Sequence, residues 1–144
     1  MQYSIVSLKE LSKITNEFRI DAECYKPSCL ALQNKLDKLK LSTIKELSKS
    51  VIYFGAYSLC NQIEFVENGV PFLVTENIYN NLIDTSNLTF ISEKSHKLLY
   101  KSHCQKNQVL LTMAGAYLGR SAVFQENFSC SSNQAIAKIT LKEN

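Results

Sequence analysis

No stretch of the sequence reaches the roughly 18 consecutive apolar residues of a membrane-spanning helix, so no membrane span is expected. The opening Met1-Gln2-Tyr3-Ser4 lacks the basic start and apolar core of a secretory signal, which points to the cytoplasm. Glycine and proline are scarce, with 4 and 2 copies. That excludes a flexible or proline-rich linker and makes each copy a marker of local structure. There is no internal repeat and no low-complexity tract. The 5 cysteines (Cys24, Cys29, Cys60, Cys104, Cys130) form no C-x-x-C pair. His96 and His103 miss the i, i+4 spacing of a helical metal pair, so reduced thiols and no metal site are expected. Also absent are a phosphate-binding glycine loop, a dinucleotide glycine motif, an H-E-x-x-H helix, a nuclease-type carboxylate cluster and the Asn/Asp-Pro-Pro-Tyr/Phe signature of adenine methylation. These gaps argue against an enzyme. Cys104 beside His103, with His96 nearby, is the residual case for a thiol nucleophile, without the local signature such sites carry.

What remains is the composition of an ordinary globular protein: 144 residues, 45% hydrophobic and 20% charged, read as one domain over 1–144. Residues 1–50 read as helical. Ser7-Leu8-Lys9-Glu10 and Thr43-Ile44-Lys45-Glu46 fit capping boxes. Pro27 can open a helix whose Cys29, Leu32, Leu36 and Leu39 share one face, an apolar stripe expected to be core. From Val51 the texture changes to short runs of branched and aromatic residues: 51–54, 72–74, 88–91, 109–112, 122–124 and 135–140. Asn68-Gly69 and Asn80-Asn81 are turn signals, and Ser92 is placed to cap a short helix through about Leu99. Helices followed by a β-rich part, 51–144, indicate an α+β fold.

The net charge of +3 is too small to argue for nucleic acid by itself. Its distribution says more. Residues 51–93 hold no Lys or Arg but carry Glu64, Glu67, Glu76, Asp84 and Glu93; residues 94–125 hold no acid but carry Lys94, Lys97, Lys101, Lys106 and Arg120. The second stretch can present a positive face to phosphates, or be a solvated surface whose charges happen to segregate.

Five segments occur in order. Arg19-Ile20-Asp21-Ala22-Glu23-Cys24-Tyr25-Lys26-Pro27 comes first, then Gly69-Val70-Pro71-Phe72-Leu73-Val74-Thr75-Glu76-Asn77-Ile78. Phe90-Ile91-Ser92-Glu93-Lys94-Ser95-His96, Gln108 through Gly119, and Ser132-Asn133-Gln134-Ala135 follow. Together they resemble the target recognition domain of a type I restriction–modification specificity subunit, or the equivalent domain of a fused restriction enzyme–methyltransferase. The pattern departs from the family at Asn107-Gln108, where a Gly-Asp is usual, and in the loop after Gly55. A complete subunit would continue with a spacer helix and usually a second recognition domain, so the chain reads as a truncated product, a fragment or one half of a split subunit.

The resemblance implies N-terminal helices followed by a mainly antiparallel, strongly curved β-sheet domain with short helices. It implies a non-catalytic module that reads one half of a bipartite double-stranded DNA target and positions a methyltransferase subunit. A restriction/motor subunit would complete the assembly. S-adenosylmethionine, ATP and magnesium are implied on those partners, and no cofactor or metal in this chain.

Base reading needs directional donors and acceptors on loops that can enter a groove, while phosphate contacts supply orientation. Three loops qualify: Gly55–Gln62 with Tyr57, Ser58, Asn61 and Gln62; Thr75–Asn81 with Thr75, Asn77 and Tyr79; and Ala114–Arg120 with Tyr117 and Arg120. Asn133 and Gln134 join them by resemblance to the family element. Lys94, Lys97, Lys101 and Lys106 are the phosphate candidates. Each has a plainer alternative. The tyrosines can cover a core edge, Asn133 can satisfy backbone groups, and Gly115 and Gly119 can serve turn geometry. A domain that docks a methyltransferase without reading DNA also fits the helical first third. Arg120, beside a glycine-bounded loop in the acid-free region, carries the greatest weight.

Overall fold

The computed structural model describes residues 5–9, 11, 25–53, 59 and 61–143. The protein is α+β, with few helices and several antiparallel sheets. Its contacts divide it into two compact units, 1–43 and 44–144.

In the first unit, α1 spans Pro27–Leu36. It begins where proline sets the helical φ without losing an intrahelical bond, and it ends with the Asp37 N–H bonded to the Gln33 carbonyl at 2.9 Å. Gln33 Nε2 adds a donated bond to Asp37 Oδ1 at 2.7 Å. The stripe expected to be core is not: Leu32 is 57% and Leu39 61% exposed. The described residues of this unit supply no second element to cover it. Near the start, the Leu11 N–H bonds the Ser7 carbonyl at 3.0 Å, one helical turn at the first capping box. The rest of that segment, and Arg19 through Cys24, lie outside the described residues.

In the second unit, α2 (Ile44–Leu47) runs directly into β1 (Ser48–Ile52), so strand begins inside the part expected to be helical. The other strands are β2 (Phe65–Val66), β3 (Val70–Leu73), β4 (Ile78–Tyr79), β5 (Leu82–Ile83), β6 (Thr89–Ile91), β7 (Val109–Thr112), β8 (Ser121–Val123), β9 (Ser131–Ser132) and β10 (Ile136–Leu141). Helix α3 (Glu93–Leu98) follows β6 and leads into a 3-10 turn at Tyr100–Ser102. One sheet has the order β1-β10-β7-β8, all antiparallel, and a second has the order β2-β6-β3-β9. The described strands therefore do not form one strongly curved sheet. They pair as two open sheets and a small β4–β5 hairpin, with one apolar cluster shared between the sheets and a second on the far face of β3.

The alternation of β3 shows how. Leu73 joins Ile78, Leu110, Ala122, Phe124 and Ile136 in one cluster shared with the β7–β10 sheet. Val70 and Phe72 turn to the opposite face, where they meet Ile91 and Leu99. Successive residues of a strand face opposite ways, so β3 is apolar throughout and buried on both sides. Ser92 caps α3 as its sequence suggested, its Oγ accepting from the Ser95 N–H at 3.2 Å. No described helix is long and apolar enough to cross a membrane.

Candidate nucleic-acid interface

Strand directions gather one set of loops at a common end of this unit. β3 and β9 run parallel, with Leu73 opposite Ser132, and both finish at that end. β7 finishes there too, since Thr112 pairs with Ile136, the first residue of β10. The Asn133 N–H bonds the Leu73 carbonyl at 2.8 Å, and the Met113 N–H bonds the Ala135 carbonyl at 2.7 Å, stitching the loops together. Thr75, Tyr79, Tyr117, Arg120, Asn133 and Gln134 all lie on segments that leave or enter strands at this end.

The loop between β7 and β8 is closed at its base by Thr112, which is buried. Its hydroxyl donates to the Tyr117 carbonyl and reaches the Arg120 carbonyl at 3.2 Å. Its N–H bonds the Arg120 carbonyl at 2.9 Å, and the Gly119 N–H bonds the Thr112 carbonyl at 3.0 Å. Gly115 and Gly119 sit at φ +86° and +85° with open space where a Cβ would stand. They serve the left-handed turn, and no neighbour demands their smallness. The β4–β5 hairpin turns at Asn80 and Asn81, with φ 51° and 63°, the paired positive φ of a two-residue loop. That turn places Tyr79 opposite Leu82, beside β8.

Arg120 is where the two loops meet. Its guanidinium carbon stands 4.2 Å from the Tyr117 ring centroid and 5.2 Å from that of Tyr79. Nη1 donates to the Ile78 carbonyl at 3.4 Å, the long end of a hydrogen bond. Each cation–π contact is worth about 0.5–1 kcal/mol when partly exposed, enough to bias the rotamer of a long side chain. No carboxylate pairs with Arg120 among the described residues. The half-exposed guanidinium thus keeps most of its donors for an outside acceptor. Tyr79 is 54% exposed, so the cluster is a surface feature rather than core.

Other candidates settle differently. Asn77 is buried and fully engaged: Oδ1 accepts from the Val74 N–H at 2.9 Å, and Nδ2 donates to the Asp84 and Asn87 carbonyls at 3.1 and 3.2 Å. It braces the loop from inside and has no group left for a base. Asn133 Oδ1 accepts from the Ala135 N–H at 3.1 Å, a local turn bond. Thr75 and Gln134 are half-buried at the same end, and Gln134 has a partner within the protein. Tyr57 and Ser58 lie outside the described residues. Asn61 and Gln62 are exposed before β2.

The four lysines are exposed. Lys106 precedes β7 and Arg120 precedes β8, so the antiparallel hairpin holds them at opposite ends, roughly 13 Å apart for a strand of this length. Lys106 Nζ donates to Asn127 Oδ1 at 2.8 Å. Lys94 and Lys97 ride the outer side of α3, whose inner side is bolted down. Ser95 Oγ accepts from the Glu64 N–H at 2.9 Å, and His96 Nδ1 meets Ser131 Oγ at 2.8 Å. The His103 ring stacks on that of His96 at 3.8 Å, and its Nε2 donates to the His96 carbonyl at 2.7 Å. Both imidazoles are thereby used to dock α3 and the Tyr100–Ser102 turn against β9. Burial, and then the charge of His103, hold the His96 pKa below its usual value. Cys104 turns away from them to the Ser102 carbonyl, 3.8 Å from its sulfur.

Sequence reasoning did not pick out Thr112, although a polar β-branched residue ending an apolar run at a loop mouth was a usable signal. Nor did it foresee Lys138, buried in β10 with its Nζ donating to Ser132 Oγ at 3.0 Å. No group of three or more potential metal ligands exists among the described residues. No protein-family model matches the sequence, and no curated protein matches it.

Proposed function

We propose that this chain is a sequence-reading domain for double-stranded DNA, of the kind found in type I restriction–modification specificity subunits. In this reading it has no catalytic role and acts in the cytoplasm. It grips one half of a bipartite target and positions a methyltransferase subunit that flips and methylates an adenine. S-adenosylmethionine, ATP and magnesium belong to that subunit and to the restriction/motor subunit, not to this chain. The observation that carries the proposal is the meeting of Arg120, Tyr117 and Tyr79 from two separate loops at one end of the sheets. An arginine held near two aromatic rings, and unpaired with any acid among the described residues, presents a restrained fork. That fork matches the O6 and N7 acceptors of guanine in the major groove. Thr75, Asn133 and Gln134 border the same end and would line the groove. Lys106 ahead of β7, displaced by about the width of a groove, suits a phosphate flanking the bases read, and the exposed lysines on α3 are further phosphate candidates.

The same arrangement serves equally in the recognition domain of a single-chain restriction enzyme–methyltransferase. A second reading, an adapter that docks a methyltransferase subunit without reading DNA, draws on the exposed Leu32 of α1 and Leu39 just beyond it. Selection of bound duplexes from a randomised pool, at low and moderate salt, separates these. Enrichment of one short motif is the expected result. Salt-sensitive binding without enrichment would reduce the function to phosphate contact. No binding at either salt would overturn DNA recognition and leave the adapter.

A further inference from the structure

Beneath the β10–β7 sheet lies a group of reactive side chains that DNA reading does not use. His103 and Ser131 form an antiparallel bridge, so the next residues inward, Cys104 and Cys130, face each other directly across the ladder. The Cys104 N–H donates to the Cys130 carbonyl at 3.0 Å. Residues paired this way hold their Cα atoms about 5.5 Å apart with both Cβ atoms on one side of the ladder. A disulfide needs a Cα separation of about 4.4–6.8 Å. Both residues belong to the same buried cluster, so the pair is enclosed together. Lys138 reaches the same spot from β10, its Nζ on Ser132 Oγ. The hydroxyl of Ser102 is buried there with no hydrogen-bond partner among the described residues. Among the described residues, the polar groups near the two thiols are Lys138, Ser132 and the Ser102 carbonyl, none of them a carboxylate.

We propose that Cys104 and Cys130 are an oxidisable dithiol that closes to a disulfide on reaction with a hydroperoxide. Cys104 is the sulfur oxidised first, since it is 8% exposed where Cys130 is 1%. It is also the more acidic of the two. Donation from the Cys130 thiol and the nearby Lys138 cation bring the Cys104 thiol below its ordinary value, against the effect of burial, while the Cys130 thiol is pushed up. The Cys104 thiolate attacks the peroxide, forming an S–O bond as the O–O bond breaks. The departing oxygen takes a proton and leaves as water or alcohol. The Cys130 sulfur then attacks the sulfenic sulfur, forming the S–S bond as the S–O bond breaks. The hydroxide expelled takes the Cys130 proton and leaves as water. Two thiols lose two electrons and one peroxide gains them. The new bond ties the segment after the Tyr100–Ser102 turn to the residue just ahead of β9, three positions before Asn133. The inference is independent of the DNA reading.

The test is to treat the full reduced chain with hydrogen peroxide, alkylate it in denaturant and map the peptides by mass spectrometry. The expected result is a loss of two of the 5 thiols, recovered in one Cys104–Cys130 peptide and reversed by a dithiol reductant. Cys29→Ser should leave this unchanged. Cys130→Ser should instead leave a sulfenic acid on Cys104 that a dimedone-type probe captures. Five alkylatable thiols after treatment, links formed preferentially by Cys24, Cys29 or Cys60, or a sulfinic acid on Cys104 beside a free Cys130 would each overturn the proposal. The wild-type result decides it even if the serine variant fails to fold.

Discussion

Arg120→Ala is the most informative single change, because stability and recognition should respond to it by separable amounts. The side chain belongs to neither apolar cluster. What folding loses is two partly exposed cation–π contacts and one long hydrogen bond. At about 0.5–1 kcal/mol for each ring contact, that is roughly 1–2 kcal/mol at most. For a unit of about this size it lowers the melting midpoint by several degrees. A base-reading arginine should cost about 1–3 kcal/mol of specific binding, a drop of roughly 5- to 150-fold confined to the preferred duplex. Fluorescence anisotropy with a labelled target duplex and a scrambled one, each across a salt series, reads both quantities. Arg120→Lys keeps the charge but loses the planar fork, so it should recover affinity for the scrambled duplex and not discrimination. Equal weakening on both duplexes, with a shallower salt slope and full rescue by lysine, would refute base reading and leave a phosphate contact.

Gly119→Ala forces a Cβ onto a residue at φ +85°; it should cost about 1 kcal/mol in chemical denaturation and displace Arg120 enough to weaken target binding, and unchanged values in both would remove the loop from the argument. Lys138 is buried, and desolvation holds its pKa below 10.5. The folded state therefore binds protons less readily than the unfolded one, and stability rises with pH up to about that value. Lys138→Met should stabilise the protein by about 1 kcal/mol or more at neutral pH, with the gain shrinking toward pH 10.5; a destabilised variant would mean that the amine is held as a well-paired cation. His96 is shifted below 6.5 by burial and by His103, so its contribution to stability is complete above that pH and is lost as pH falls through the lowered value. Melting midpoints recorded from pH 7 downward should fall less steeply in His96→Gln, and parallel slopes would rule the imidazole out.

Much of the local structure was legible in the sequence. Pro27 begins α1, Ser92 caps α3, Asn80-Asn81 turns the small hairpin, and the run Val109–Thr112 is β7 residue for residue. Each depends on interactions within about one turn or one strand, so the residues that decide it are neighbours in the chain. Asn107 takes φ 68°, which is how an asparagine fills a turn where glycine is usual.

Other features depended on partners far along the chain. The two-residue strands β2, β4, β5 and β9 carry too few residues for a period to register, and they exist because neighbouring strands satisfy their backbones. The apolar stripe of α1 looked like core, yet a stripe is buried only if something packs on it. Asn77 looked like a groove reader because a loop asparagine exposes its amide, until the chain folded three backbone groups around it. Lys138 carried the signature of a solvent-facing strand residue, and the second sheet closed over it. The meeting of Tyr79 with Arg120, and of Cys104 with Cys130, is likewise a product of strand order. By itself the sequence determined the α+β class, most helix starts and the loops worth watching, because caps, turns and propensities act over a few residues. Tertiary structure alone decided which loops share an end and which polar groups are enclosed, because that choice comes from burying apolar faces summed over both sheets.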